Sequence, residues 1–502
     1  MGENRTLLKI EKLSKSFGGV KALDMVDMEV RAGEVHCLAG ENGSGKSTLI
    51  RSISGVQTVD TGSITLNGKT FSKLSARDAM AEGVQVIYQD LSLFPNLTVA
   101  ENIAFTLLTE QKRKVVRFRD YCEIAERGLK ALGHTLDLYA LVEQLPIASR
   151  QIVAIARALV LDTKVLIMDE PTTALTKKEI DLLLGTIDSL RGRGISTIFV
   201  SHKLDEVFRV ADNITVLRDG KKVGDFGANE LDETKLSYHM TGREILYRPF
   251  RLTNTENNIE PLLEVENLTR EPHFRNISFS VNPGEIVGLI GPLGAGRTEL
   301  ALSLFGLNPP TGGKVRLEGK EVSIQSPQDS IAQRIGLLPE DRHSQGLFAK
   351  QSIERNLLAS LYKRLSKWGL VNSRTAKELS DEWFRSLKIK APNTETRPSQ
   401  LSGGNQQRVV LGKWLATNPK IFILDSPTVG IDVGSKAEIH EVIQGLAKKG
   451  MGLLMISDEV AELYHGCSQI IVMRDGEMIA KVSTAEVGEE EIRTLVESGV
   501  RQ

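Results

Sequence analysis

A basic surplus is missing from this chain: 63 Lys and Arg stand against 64 Asp and Glu, for a formal net charge of -1. Nucleic-acid binders usually carry such a surplus, so the composition predicts no nucleic-acid partner. Also lacking is any apolar run of the roughly 18 to 20 residues needed to cross a bilayer, and the N-terminus has no signal-peptide-like apolar stretch. A soluble, cytoplasmic chain is the expectation. Cysteine is scarce: Cys37, Cys122 and Cys467 are too scattered for a zinc site or a disulfide framework. They read as small core or surface residues of a reducing compartment.

What the chain does contain is a duplicated pattern. LLKIEKLS, from Leu7 to Ser14, returns as LLEVENLT, from Leu262 to Thr269, at an offset of 255. Two glycine loops, GENGSGKST at Gly40 to Thr48 and GPLGAGRTE at Gly291 to Glu299, lie 251 apart. The aspartates of VLIMDEPT and IFILDSPT (Asp169, Asp425), the serines Ser201 and Ser457, and the RDG triplets at Arg218 and Arg474 all keep an offset of 256. Chance does not hold that register, so the 502 residues divide into two copies of one unit. The smaller offset means that four residues are missing ahead of the second loop, with compensating insertions after it.

In each copy an apolar, β-rich run meets the glycine loop and then a helical pattern: EVHCLAG into GSGKSTLIRSISG, and EIVGLIG into GAGRTELALSLFG. Three more short apolar runs follow in each copy. Their alternation with helices predicts an α/β fold with a mostly parallel sheet wrapped on both faces. Charge and helix formers over 89–145 and 340–401 predict a helical subdomain inserted in each core. The expected domains are 1–246 and 262–502, joined by a polar linker, 247–261, with proline at both ends.

Strand, loop and helix together are the setting of a phosphate site, because unpaired N–H groups and the positive end of the helix dipole point at the anion. In the first copy Gly40, Glu41, Asn42, Gly43, Ser44 and Gly45 would cradle a triphosphate, and Lys46 would reach its outer phosphates. Ser47, followed by Thr48, would set its hydroxyl on Mg²⁺. Asp169, ending VLIMD, fits beside the metal, and Glu170 is the candidate to polarise the attacking water. Gln89 of YQD would report on metal and phosphate, and His202 would contact the γ-phosphate and the water. Phosphoryl transfer needs mainly positioning and charge stabilisation, which these residue types supply.

GENGSGKST, YQD, MDEPTTAL and VSH in that order resemble the ATP-binding cassette ATPases, and LSGGNQQR at Leu401 to Arg408 is close to that family's signature. The resemblance covers nearly the whole chain. The tandem arrangement, the GAGRTE loop and LPEDR at Leu338 to Arg342 narrow it to the fused ATPase subunits of bacterial ribose- and galactose-type monosaccharide importers. It implies two tandem P-loop ATP-binding cassette domains that use ATP and Mg²⁺. It implies a place on the cytoplasmic side, peripheral on the inner face of the membrane, with integral-membrane permease subunits and a periplasmic or lipid-anchored solute-binding protein as partners. The family's head-to-tail arrangement would bring Ser402, Gly403, Gly404 and Asn405, with Asp432, to the Lys46 loop. Phe17 lies where the family stacks an aromatic ring on adenine.

The second implied site, on Gly291, Gly296, Arg297 and Thr298, collects substitutions. Arg297 replaces the lysine with a bulkier planar fork. Ser426 stands in the catalytic glutamate's slot, Glu340 in that of the sensing glutamine, and Asp458 in that of the histidine. The signature expected to face it reads LPIAS, in which Pro146 has neither hydroxyl nor N–H and Ala148 adds a methyl where phosphate must come close. Thr176 occupies the slot matching Asp432. The expectation is one hydrolytic site and one degenerate site that binds nucleotide weakly or is structural.

Two weaker signals remain. KRKVVRFR, at 112–119, reads as a solvated helix face, with anionic headgroups or a permease loop as the alternative. Leu93, Phe94 and Leu97 would either pack in the core or line a groove for a permease helix. The residues beyond Ile214 and Ile470 give no hint of a regulatory tail. The leading function is a motor subunit that drives a sugar permease. The alternatives are a soluble tandem cassette protein acting on ribosomes, against which Ser426 and the short linker argue, and a nonhydrolytic nucleotide-sensing scaffold.

Overall fold

The computed structural model describes residues 5–111, 115–172, 175, 177–201, 203–243, 250, 260–367 and 370–498. Most of the linker expected at 247–261, together with His202, Thr176 and residues 112–114 of the basic run, lies outside them. The chain divides into two compact units, Met1–Ile245 and Leu246–Gln502.

In the first unit a six-stranded sheet has the order Lys221–Gly227, Asn213–Arg218, Val35–Ala39, Ser196–Val200, Val165–Asp169, Val84–Ile87. All neighbours are parallel except the hairpin formed by the first two strands. The strand leading to the phosphate loop is central and buried throughout, as expected of a parallel strand covered on both faces. The second unit repeats the order with Glu477–Ser483, Gln469–Arg474, Ile286–Ile290, Gly452–Ile456, Ile421–Asp425 and Ile335–Leu338. The mostly parallel α/β core holds in both copies.

The covering of the two faces differs from a helix-only wrap. Alternate residues of the second unit's strands serve two cores, since successive side chains point to opposite faces. Phe422, Leu424, Leu453 and Met455 pack with helical Ile439, Ile443 and Leu463. Ile421, Ile423, Leu454 and Ile456 pack instead with the helix after the glycine loop and with Leu263, Val265, Phe274 and Phe279. Those last four belong to an antiparallel sheet of four strands, Phe274–Val281, Leu263–Arg270, Gly312–Leu317 and Lys320–Val322, whose counterpart in the first unit begins with LLKIEKLS.

The stretches expected to be helical subdomains, 89–145 and 340–401, contain helices Val99–Glu110 and Phe118–Ala131 in the first unit and Ile353–Leu358 and Ser373–Ser386 in the second; the helices Ile147–Leu159 and Gly403–Leu415 follow just beyond those bounds. Each stretch is anchored by one buried asparagine. Asn102 exchanges hydrogen bonds with the backbone of Phe94 (2.8 and 3.0 Å), and Asn356 does the same with Phe348 (2.8 and 3.1 Å). These bonds satisfy backbone groups in the segments that follow the sensor positions.

Candidate nucleotide sites

Both glycine loops fold alike because the same contacts exclude a side chain. A Cβ on Gly40 would lie 2.3 Å from the Leu217 carbonyl oxygen, and on Gly291 2.1 Å from that of Met473. At the helix start Gly45 (φ 105) and Gly296 (φ 88) are left-handed, and a Cβ there would strike the Ala22 or His273 carbonyl oxygen. The loops therefore present their backbone as expected, and they differ in what the following cation does.

Lys46, 6% exposed, curls onto its own loop and donates to the carbonyls of Gly40 (2.7 Å) and Glu41 (2.9 Å). Beside it, among the described residues, the buried Ser44 hydroxyl has no hydrogen-bond partner, so the cradle offers an unused polar group. Ser47 is exposed at the first turn of helix Lys46–Ile53, and Gln89 is exposed in the turn after strand Val84–Ile87. Asp169 ends its strand half-buried. Burial, then the neighbouring Glu170 charge, raises its carboxyl above the usual aspartate range, against the opposing charges of Lys46 and Arg51. Phe17 ends its strand 47% exposed, with the Lys15 ammonium 5.5 Å from its ring centroid.

Arg297 turns the other way. It donates to the Ser457 carbonyl (3.2 Å) and pairs with Asp458 at 2.5 Å. The sequence reading places Asp458 as a repulsive charge for phosphate; the fold shows the loop's own cation already engaged by it. Asp425, 2% exposed, is pushed up to about 6, first by burial and further by Glu340 and Asp458, while Thr298 and Arg297 oppose the shift. Exposed Glu340 stands in the sensor turn.

Glu170 and Ser426 share an unusual backbone. Their φ angles are 48° and 49°, and their amides donate to Val200 and Ile456 carbonyls, each at 3.0 Å. A non-glycine residue in this region costs free energy and persists only where its surroundings impose it. The surroundings include a buried carboxylate that the sequence reading missed. Thr172 and Ser201 both donate to Glu206 (2.6 and 3.0 Å), tying the turn after Glu170 to the end of the neighbouring strand. In the second unit Thr428 and Ser457 donate to Glu462, joined there by His440 at 2.8 Å. Burial opposes the ionisation of Glu462, but the His440 hydrogen bond and charge outweigh it and hold the carboxyl down at about 2. The brace is duplicated; the glutamate it presents is not.

The two signatures differ as their residues imply. Ser402 is the N-cap residue of helix Gly403–Leu415, and the Asn405 amide donates to its hydroxyl oxygen (2.9 Å) while accepting from the Lys390 backbone (2.8 Å). At Gly404 a Cβ would fall 2.4 Å from the Ser435 hydroxyl oxygen. Asp432 caps the next helix through Ser435 (2.8 and 3.1 Å), so within its own unit its carboxylate is a structural cap. In the first unit Pro146 takes the place of Ser402 at the start of helix Ile147–Leu159; neither residue makes a side-chain cap hydrogen bond, but Pro146 has no hydroxyl to offer. Ile147, 37% exposed, stands at the position of Gly403, a further substitution that the sequence reading passed over.

Of the basic run expected as a helix face, only Phe118 and Arg119 lie in a helix among the described residues, and Arg119 pairs with Glu123 (2.8 Å) on its exposed face. Phe94, 48% exposed, packs edge-on against Phe105 with ring centroids 5.8 Å apart.

A family model described as ABC transporter matches residues 23–173 and 274–429. The chain is 42% identical over 500 residues to a ribose import ATP-binding protein of Rubrobacter xylanophilus, covering 99% of each. It is 40% identical over 502 residues to a ribose import ATP-binding protein of Rhizobium meliloti, covering 99% of this chain and 97% of that one. It is also 40% identical over 486 residues to a galactofuranose transporter ATP-binding protein of Escherichia coli O157:H7, covering 97% of each.

Proposed function

The chain belongs to the ABC transporter family of ATP-binding proteins, and from that premise we propose that its Lys46 loop forms the hydrolytic site and its Arg297 loop a non-hydrolytic one. It is an ATPase coupled to transport that powers import of a sugar or related polar solute, as its end-to-end similarity to import ATP-binding proteins supports. The ribosomal alternative has no support: those relatives are named for import.

The observation that carries the site assignment is the pair of matched strand ends, with Glu170 in one unit and Ser426 in the other on the same left-handed backbone. A carboxylate there can accept a proton from the attacking water; a neutral hydroxyl is a poor base. The Ser44 hydroxyl and the loop amides would hold phosphate oxygens, with Lys46 leaving the Gly40 and Glu41 carbonyls to join them. The Ser47 hydroxyl, the Gln89 amide and the Asp169 carboxylate are oxygen donors of the kind Mg²⁺ takes alongside phosphate and water. Mg²⁺ bound there would offset the charge of the phosphates. Ser402, Gly403 and Gly404 of the signature are proposed to contact nucleotide as well. Because Asn405 donates to the Ser402 oxygen, the serine's own proton is left to point at a phosphate. His202 is proposed to contact the γ-phosphate and Phe17 the adenine.

Integral-membrane permease subunits and a solute-binding protein are the proposed partners, with the chain peripheral on the inner face of the membrane. Among the described residues no helix is long and apolar enough to cross a membrane. The exposed Phe94 and Phe105 rings offer an apolar contact for a permease segment. Co-expression with candidate permease subunits tests this: recovery with them and ATP-driven uptake of a ribose- or galactose-like sugar in vesicles is the expected result. Recovery with ribosomes, without permease, would overturn it.

A further inference from the structure

The segment that carries Glu340 also carries Arg342, whose guanidinium bonds the signature helix and the turn ahead of Asp432. Its Nη1 donates to the Val429 carbonyl (2.6 Å), its Nη2 to the Gly430 carbonyl (2.9 Å) and its Nε to the Gln406 side-chain oxygen (3.3 Å). Gln406 is buried in the signature helix and donates in turn to Pro398 (3.0 Å) and Leu401 (3.2 Å), the residues over which the chain enters that helix.

The guanidinium fills the space between two glycines. A Cβ on Gly403 would lie 3.1 Å from Nη2 and 3.0 Å from the Gly430 carbonyl oxygen, and one on Gly430 3.3 Å from either Nη. Two residues past Gly430, Asp432 caps its helix through Ser435, whose hydroxyl oxygen closes against Gly404. The contacts make a ring: Arg342, the Val429–Gly430 turn, Asp432 with Ser435, the Gly403–Gly404 helix start, Gln406, and back to Arg342. A planar fork can bond two successive carbonyls and a side-chain amide at once, which an ammonium cannot. The base of the fork is fixed as well, since Asp341 accepts from His343 (2.8 Å) and from Ser344 (3.2 and 2.6 Å).

The first unit is tied differently. Leu91 follows Gln89 and Asp90 where Arg342 follows Glu340 and Asp341. A cation from the helix also ties the segment in each unit, Arg157 donating to the carbonyls of Ser92 (2.7 Å) and Leu91 (3.0 Å) and Lys413 to that of Gly346 (2.6 Å). That tie holds the sensor segment.

We propose that Arg342 is a positioning residue for ATP hydrolysis, holding Ser402, Gly403 and Gly404 at the angle needed to grip the γ-phosphate. The inference rests on the proposed reading of Ser402, Gly403 and Gly404 as nucleotide-binding residues.

The test uses the full chain with Arg342→Ala, Arg342→Lys and Glu170→Gln, measuring kcat and KM for ATP together with the melting temperature. For Arg342→Ala the expected result is kcat lower by about tenfold, with KM within about twofold, the pattern of an interaction made in the transition state. The melting temperature should stay within a few degrees, and Arg342→Lys should recover part of kcat by bonding one carbonyl. Wild-type kcat in Arg342→Ala, with Glu170→Gln inactive, would overturn the role of Arg342 alone. A loss of kcat that tracks a large fall in melting temperature in both Arg342 variants would also overturn it, as a folding effect. Turnover surviving in Glu170→Gln would overturn the reading of the Lys46 loop and the proposal with it.

Discussion

At single residues the two phosphate loops diverge by what their cations hold. Lys46 rests on neutral carbonyls of its own loop, an arrangement a phosphate can replace with a stronger, charge-assisted bond. Arg297 already faces the Asp458 carboxylate. That pair, exposed on the aspartate side, adds little stability, about 0 to 1 kcal/mol. It does mean that a triphosphate would compete with an anion for the cation. Asp425 behind it bears the cost of its burial first, and of the nearby Glu340 and Asp458 charges besides. With its carboxyl raised from 3.8 to about 6, the folded unit holds this proton more tightly than the unfolded chain does. The associated stability is fully present below about pH 4 and is lost as pH rises through about 6. Asp425→Asn should therefore raise the stability of the second unit by about 1 to 3 kcal/mol at pH 7.5 and have little effect at pH 4. Unfolding followed at both pH values checks the sign; a destabilised variant at pH 7.5 would count against it.

At the level of elements, the helices that begin at Ile147 and Gly403 are the same helix with different faces offered at the N-terminus. Gly404 is required by its neighbour, since a Cβ there would meet both Oγ (2.4 Å) and Cβ (2.5 Å) of Ser435. That short side chain cannot swing aside without disturbing the Asp432 cap. Gly404→Ala should reduce ATPase activity by about 100-fold, in the range of losing one or two charge-stabilising donors. Ala148→Gly should leave the rate within about twofold, because Pro146 and Ile147 still block that helix start; a gain of activity comparable to the loss at Gly404 would refute the distinction. Much of this was legible in sequence: the glycine loops, the strand ends at Asp169 and Asp425, and both signatures follow from residue type and spacing. What stayed hidden depends on contacts between segments far apart in the chain. The antiparallel sheet, the Glu206 and Glu462 braces, and the reach of Arg342 to Val429 and Gly430, 87 and 88 residues away, have no local pattern to announce them. Asp458 was visible as a charge, but its partner was not.

For the whole molecule, duplication has been kept where it is structural and dropped where it is chemical. Sheet order, loop glycines, buried asparagines and carboxylate braces recur in both units. Glu170, Gln89 and Lys46 do not. Selection for one fold with one hydrolytic site is the economical account. The most direct measurement is the steady-state ATPase rate of the full chain carrying Glu170→Gln, compared with Arg297→Ala in the same assay. A single hydrolytic site requires the first variant to lose activity by about 100-fold or more, as for removal of a general base, and the second to stay within a few-fold of wild type. Substantial ATPase activity in Glu170→Gln would contradict the account.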